Sequence, residues 1–285
     1  MTRLIFLGSG SAFTLGAGNF QSNMMLIRDA DGDHRNRKLL IDAGSDIRFS
    51  LRAAGFSHLD VTDIYLSHLH ADHAGGLEYL AFSTKFDPQC DRPNLYLSKD
   101  LVNELWNHTL SGGMRSIEGD IANLETFFRV HPVPRQSSFV WDEITFELIR
   151  VAHVDNGYFL MPAYGLKFEV DGVKVFLTTD TKFCLDYTLE HYEWADIIFE
   201  DCETAQFHSG IHAHYQELLT LPTQIRQKMW LYHYQPGELP DAKEDGFQGF
   251  VECGQIFDFV NPHLPTIMPV QSQWMDDGNR KFLKP

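Results

Sequence analysis

Six consecutive residues, His68-Leu69-His70-Ala71-Asp72-His73, carry three imidazoles and a carboxylate, the densest group of metal-capable side chains in the chain. They follow a short apolar run, 63 to 67, that reads as a β-strand. Side chains alternate along an extended chain, so His68 and His70 leave the strand end on one side and can meet one cation. Past them the chain turns, and Asp72 with His73 can face a second cation. Imidazole nitrogen with carboxylate oxygen suits Zn²⁺, and Mn²⁺ or Fe²⁺ accepts the same donors. A lone histidine is ordinarily a surface or hydrogen-bonded core residue. Four donors within six residues are not explained that way.

The run Ser67 to His73, followed by Ala74, Gly75 and Gly76, resembles the HxHxDH signature of the metallo-β-lactamase superfamily. The resemblance spans roughly residues 3 to 235 and implies an α+β four-layer αββα sandwich, two packed mixed sheets covered by helices. It also implies further ligands downstream at strand ends. His153 follows Arg150-Val151-Ala152, and His233 closes Trp230-Leu231-Tyr232. Asp180 lies in Thr178-Thr179-Asp180-Thr181, similar to the family's GDT segment, whose aspartate bridges two metals; Thr179 stands where that segment has glycine. His131, His191 and His263 are also available, but order, spacing and strand-end position select His153 and His233. His131, followed by Pro132, reads as a loop residue. Carried over residue by residue, site one is His68, His70 and His153, site two is Asp72, His73 and His233, and Asp180 bridges. The implied cofactors are two divalent ions, Zn²⁺ first and Mn²⁺ as the alternative.

Two cations sharing a solvent molecule lower its pKa toward about neutrality, so attack by a metal-bridging hydroxide is the expected chemistry. The metal pair alone does not choose the substrate. The segment Ile197 to Thr204, IIFEDCET, resembles the acidic segment of the branch holding transfer-RNA 3′ processing endonucleases and related phosphodiesterases, with Asp201 in place of its glutamate. Gly210-Ile211-His212-Ala213-His214 resembles that branch's histidine motif; His212 matches the histidine and His214 replaces a threonine. The resemblance implies that His212, oriented by Asp201, protonates the leaving group, with His214 in reserve. On local signal alone, Asp201 and Glu203 could instead cap or solvate a loop. The candidate catalytic residues are therefore Asp72, Asp201 and His212.

The long basic, glycine-rich arm of the transfer-RNA endonucleases is not visible here. The wording HAHYQELLTLP, residues 212 to 222, is most similar to phage-type phosphodiesterases that destroy cyclic-nucleotide alarm signals. A small nucleotide diester, foremost a 3′,5′-cyclic nucleotide, is the expected substrate. The alternatives are a transfer-RNA 3′ endonuclease, a thioester or lactone hydrolase that does not need the Asp201/His212 pair, and a non-catalytic scaffold, which the complete ligand set disfavours. A redox di-iron member would carry Glu where His70 stands. Tyr158, Phe159 and Tyr164 could stack on a base, and core packing is the commoner fate of such residues.

Short β-rich runs position these residues: 3 to 7, 23 to 28, 38 to 42, 63 to 67, 95 to 98, 144 to 152, 164 to 170, 173 to 178, 196 to 200 and 229 to 233. Asp171-Gly172 reads as a two-residue hairpin turn of the primed type. Helices are expected over 46 to 54, closed by Gly55, over 75 to 82, over 99 to 110, and over 213 to 221 up to Pro222; 120 to 129 is ambiguous. Mostly antiparallel strands in each half, with helices between, predict two packed sheets under helices. With no linker or repeat, 1–285 reads as one domain, the motifs lying within 3–235 and an irregular extension over 236–285.

Composition narrows the partners. Thirty-nine acidic against 23 basic side chains give a formal charge of −16, which disfavours long nucleic acid. No leader-like start or membrane-length apolar run is present, so the expectation is a cytoplasmic protein with no membrane partner. Cys90, Cys184, Cys202 and Cys253 form no CxxC pair and read as small buried hydrophobes in a reducing compartment. A homodimer stays open.

Overall fold

The computed structural model describes residues 1–15, 18–29, 37–261 and 264–268. Apolar runs rich in Leu, Ile, Phe and Val form the strands, and two mixed sheets result. The first half of the chain supplies β1 (Thr2–Phe6), β2 (Met24–Arg28), β3 (Arg37–Ile41), β4 (Asp63–Leu66) and β5 (Asn94–Ser98). A small ribbon of β6 (Ser116–Ile117) and β7 (Asp120–Ile121) precedes β8 (Arg129–Val133). The second sheet takes β9 (Ser138–Trp141), β10 (Ile144–Arg150), β11 (Tyr164–Val170), β12 (Val173–Leu177), β13 (Ile197–Asp201), β14 (Met229–Tyr232) and β15 (Gly249–Phe250). The chain then returns to the first sheet through β16 (Gln255–Asp258) and β17 (Thr266–Ile267). The strand orders are β17-β16-β1-β2-β3-β4-β5-β8 and β15-β14-β13-β12-β11-β10-β9.

Burial follows from this layering. Ile197 and Phe199 of β13 join Phe6, Tyr232 and Phe257 in the core between the sheets, whereas Ile198 turns to the other face, against Tyr192 of the helix Leu185–Trp194 and Leu218. Covered on both faces, β4, β13 and β14 are buried along their whole length, as central strands of helix-covered sheets must be. The helices Ile47–Ala53 and Leu77–Phe86 bury Ile47, Leu51, Leu77 and Leu80 in the larger core cluster.

Several local expectations change. Antiparallel pairing holds only a narrow majority: β3, β4, β5 and β8 run parallel to one another, and so do β12 to β15. His131 lies in edge strand β8 rather than a loop; Pro132 is tolerated there because an edge strand need not donate every N–H. The helix expected over 213–221 shrinks to Tyr215–Leu218, because Ala213 N–H is taken by Thr181 O at 2.8 Å and His214 is held in a parallel bridge to Glu203. The helix placed at 75–82 begins at Leu77 and runs to Phe86. The segment read as irregular after 235 contributes β15, β16 and β17, although residues 269–285 lie outside the described residues. Asp171 and Gly172 both take positive φ, 50° and 81°, as a primed turn requires. Of the four cysteines, only Cys202 is fully buried. Among the described residues no helix is long and apolar enough to cross a membrane.

The returning strand is integral to the core. Phe257 of β16 is fully buried, and its ring centroid lies 5.8 Å from Phe6, 4.7 Å from Phe199 and 5.1 Å from Trp230, touching strands of both sheets. Phe257→Ala should therefore cost roughly 3–5 kcal/mol, read as a lower urea midpoint at unchanged m-value. A loss below about 1 kcal/mol, the scale of a surface change, would show that this strand packs only peripherally.

Candidate active site

Parallel strands end on the same edge, and the loops leaving those ends assemble the site. Past β4, Ser67 and His68 are buried, and His70 opens the single helical turn Ala71–Ala74 that carries Asp72 and His73. A turn at Asp42 to Asp46, after β3, buttresses this loop through backbone bonds from Ala43 N to His73 O (2.6 Å), Ser45 N to Ala71 O (3.0 Å) and Gly76 N to Ala43 O (2.8 Å). The approach is so close that a Cβ on Gly44 would fall 2.2 Å from the Asp72 carbonyl oxygen. From the second sheet come His153 beyond β10, Asp180 beyond β12, Asp201 at the end of β13 and His233 just past β14. Asp42, Thr179 and His233 all have positive φ (61°, 54° and 65°), and for the β-branched Thr179 that is a costly conformation. Thr179 thus stands where the family's glycine would be unstrained; its hydroxyl donates to Tyr164 O at 3.2 Å.

All seven ligands expected from the sequence meet in two donor clusters that share Asp180. In the first, His70 Nδ1 lies 3.1 Å from both His68 Nε2 and His153 Nε2, and Asp180 Oδ2 lies 3.8 Å from each of the latter. In the second, His73 Nε2 is 3.3 Å from Asp72 Oδ2 and 3.1 Å from Asp180 Oδ1, while His233 Nε2 is 3.2 Å from Asp72 Oδ2 and 3.5 Å from Asp180 Oδ2. A tetrahedral ion with bonds of about 2 Å keeps its ligand atoms about 3.3 Å apart, and these separations bracket that figure. Moreover, His73 Nε2 and Asp180 Oδ1 are buried without a hydrogen bond despite their proximity. Unpartnered buried donor atoms of this kind, gathered within 4.8 Å of one another, fit metal binding.

Electrostatics agree. Burial holds the imidazoles of His68, His70 and His153 below the usual histidine range, leaving neutral lone-pair donors. At His73 and His233 burial acts in the same direction, but Asp180 and neighbouring carboxylates outweigh it; both are raised, His233 to about 10. Burial would raise Asp72 and Asp180, yet the surrounding imidazoles keep both ionised. The second cluster is thus a place where positive charge is stabilised.

A supporting layer orients the donors, and part of it was not legible as function. Asp42 Oδ2 lies 2.7 Å from His73 Nδ1 and accepts from Ser67 Oγ at 2.7 Å, and that hydroxyl sits 3.0 Å from His68 Nδ1. Asp42 was visible only as an acidic end to an apolar strand. His153 Nδ1 pairs with the Ile211 carbonyl at 2.8 Å. Asp201 is fully buried: its Oδ2 takes the Thr181 N–H (2.8 Å) and His212 Nδ1 (2.7 Å), and its Oδ1 lies 3.4 Å from His233 Nδ1. Burial would lower the His212 pKa, but the Asp201 charge and hydrogen bond raise it.

The other candidates separate cleanly. Glu203 caps its loop by accepting the Ser209 N–H at 2.9 Å. His214 is consumed structurally, with Nε2 2.9 Å from Ala205 O and Nδ1 accepting from Gln216 N at 3.2 Å, so it holds no free nitrogen for the reserve role. His191 packs on Phe176, away from the cluster, and His131 Nε2 pairs with Asn94. His263 lies outside the described residues. Tyr164 is core, with its hydroxyl donated to Asp100 Oδ2 at 2.8 Å, but Tyr158 and Phe159 are 96% and 60% exposed, against the core expectation.

Because Asp180 belongs to both clusters, Asp180→Ala should strip more metal than any other single replacement, leaving less than one equivalent per chain by elemental analysis. Retention of the wild-type metal content would remove the bridging role. Asp42→Ala should weaken metal affinity about 10- to 100-fold, the usual worth of a group that orients a ligand; an unchanged affinity in metal titration would make Asp42 a folding residue only.

Comparison with known proteins gives the family and the fold. The profile of the family described as Anti-Pycsar protein Apyc1 matches residues 2–257. An anti-Pycsar protein Apyc1 from Bacillus phage vB_BveM-Goe7 is 32% identical over 267 residues, covering 89% of this chain and 97% of its own. Among solved structures, the metallo-β-lactamase fold protein YhfI from Bacillus subtilis superposes with a TM-score of 0.66 at 14% identity, over 90% of this chain and 100% of that one. The short form of human tRNase Z gives 0.62 at 16% identity, over 90% and 98%. A family match running from the first strand into β16, on a sandwich whose strand ends gather the expected ligands, places this chain in the anti-Pycsar Apyc1 family and on the metallo-β-lactamase fold.

Proposed function

We propose that this chain is a metal-dependent phosphodiesterase that opens small nucleotide diesters, foremost 3′,5′-cyclic nucleotides. The observation that carries the reading is the Asp201–His212 pair beside the two donor clusters, with His212 Nδ1 tied to Asp201 at 2.7 Å and 3.9 Å from Asp180 Oδ2. Membership of the anti-Pycsar Apyc1 family and the sequence likeness to cyclic-nucleotide phosphodiesterases support the same substrate class.

Seven residues would hold two divalent ions, Zn²⁺ or Mn²⁺: His68, His70 and His153 at one site, Asp72, His73 and His233 at the other, and Asp180 between them. Bound there, the ions supply the acidity that makes water a nucleophile near neutral pH and offset charge on the phosphoryl oxygens. The chain's own residues do the rest. Asp201 fixes the His212 ring through Nδ1, which directs Nε2 toward the substrate side. As water oxygen bonds to phosphorus and the phosphorus–ribose oxygen bond breaks, His212 Nε2 gives its proton to the departing oxygen, while the proton lost by the water passes to solvent, from which His212 is reprotonated. An alkoxide of high pKa leaves poorly without that proton.

His212→Ala should accordingly retain metal yet slow an alkyl diester about 10²- to 10⁴-fold, the range for a placed acid. A nitrophenyl ester, whose anion leaves unaided, should lose much less. Equal losses on both would make His212 a binding residue, and loss of metal would make it a ligand. The substrate class is tested by offering the metal-loaded protein cyclic mononucleotides, a precursor transfer RNA, a thioester and a lactone. Turnover of the cyclic nucleotides well above the others is expected, and efficient trimming of the transfer-RNA trailer without cyclic-nucleotide turnover would reverse the assignment.

A further inference from the structure

Beside the metal clusters, on the same edge of the sandwich, lies a groove of about 600 Å³ that none of the residues above uses. That volume is in the range of small-molecule sites. One wall includes Leu69, the chain neighbour of both His68 and His70. Phe159, Leu160, Met161 and Pro162, from the segment that follows His153, line it too, beside four charged side chains. All five side chains are partly or largely exposed, an apolar surface left open to solvent next to a polar centre.

This wall is built rather than slack. Asn156 Oδ1 accepts the N–H groups of Tyr158 and Phe159 at 2.9 and 3.0 Å, and Asp155 Oδ1 accepts that of Gly157 at 2.9 Å. Met161 N donates to Val154 O at 2.8 Å, and Asp155 bridges Leu160 across the turn. From below, Arg150 Nη2 donates to Leu160 O at 2.7 Å, and its other arm reaches the Tyr164 hydroxyl at 3.3 Å. The hydrogen bonds therefore fix the backbone from which a 60% exposed aromatic ring projects at the rim.

We infer that this groove takes the nucleobase, with Phe159 as the stacking face and Leu69 with Met161 as its apolar bed. The inference rests on the phosphodiesterase reading for the identity of the ligand. A phosphoryl group at the metal clusters leaves the base of a mononucleotide only one sugar away, and a flat, apolar, weakly hydrated ring suits an aromatic wall of this kind. Phe159 is thus a specificity-determining residue that contacts the part of the substrate away from the reaction.

The test separates base recognition from turnover. Binding of adenosine 5′-monophosphate and of ribose 5-phosphate to the metal-loaded protein is measured by equilibrium dialysis for the wild type, Phe159→Ala, Phe159→Tyr, and Ile121→Ala as an equally exposed apolar control on β7. The wild type should prefer the nucleotide about tenfold or more, the scale of one base–aromatic stack. Phe159→Ala should lose most of that preference, whereas Phe159→Tyr and Ile121→Ala keep it. In parallel, the ratio of kcat/KM for a 3′,5′-cyclic nucleotide to that for methyl nitrophenyl phosphate should fall about tenfold in Phe159→Ala. A preference unchanged in Phe159→Ala, or an equal weakening of both phosphates, overturns the groove assignment while leaving cyclic-nucleotide hydrolysis standing. A Phe159-dependent base preference in a protein that opens no cyclic nucleotide would instead overturn the phosphodiesterase reading and leave the groove.

Discussion

The carboxylate of Asp180 is shared. One of its oxygens faces His73 and the other faces His68, His153 and His233, at 3.1 to 3.9 Å from the surrounding nitrogens. For one side chain to serve two donor clusters, the loop after β4 in one sheet and the ends of β10, β12 and β14 in the other must be aligned to within a fraction of an ångström. The rest of the architecture can be read as the means to that alignment. Parallel strands bring their ends to one edge, the Phe6–Phe199–Phe257 cluster locks the two sheets face to face, and the backbone of the Asp42–Asp46 turn clamps the histidine loop from behind. Charge imposes the same discipline: Asp42, Asp72, Asp180 and Asp201 are all buried, and an ionised carboxylate is tolerated there only beside cations or several donors.

Local strain marks the same strand ends. Asp42, Thr179 and His233 adopt left-handed backbone conformations directly after β3, within the turn after β12 and after β14, each costing about 1–3 kcal/mol in isolation. The conformation turns the chain sharply as it leaves the sheet, so that the next or same side chain faces the cluster instead of solvent. Asp201 shows the complementary strategy. Without leaving its strand, it anchors the Asp180 turn through the Thr181 N–H, orients His212, and approaches the ligand His233. His212 and His233 are thereby tied to one buried carboxylate, which couples the geometry of the two rings.

That these seven side chains gather in one place was largely legible because they are concentrated and ordered: His68 to His73 stand out by density, and His153, Asp180 and His233 by their place after apolar runs. Asp42 was not, since one acidic residue at a strand end has no local contrast, and its role arises from β3 lying parallel to β4, a pairing that no short pattern reveals. The returning strand β16 escaped for the same reason. Its partner β1 is some 250 positions earlier, and four residues between turns carry little periodicity. Pro132 misdirected the reading of His131 because proline is excluded from central strands but not from an edge. Over 213–221 the helical pattern lost to tertiary structure: Ala213 is tied to Thr181 O and His214 to Glu203, His212 lies against Asp201, and the helix starts only after His214 has capped it. The exposure of Phe159 lay equally out of reach, because aromatic residues are buried far more often than displayed.

Asp180, common to both donor clusters, would hold two cations around one carboxylate. Crystals of the protein grown with Mn²⁺, with data collected at the manganese absorption edge, test this directly. The anomalous map should contain two peaks per chain, one enclosed by His68 Nε2, His70 Nδ1 and His153 Nε2, the other by Asp72, His73 Nε2 and His233 Nε2, with Asp180 in contact with both. A single peak, or peaks that leave Asp180 uncoordinated, would contradict the shared-carboxylate arrangement from which the rest follows.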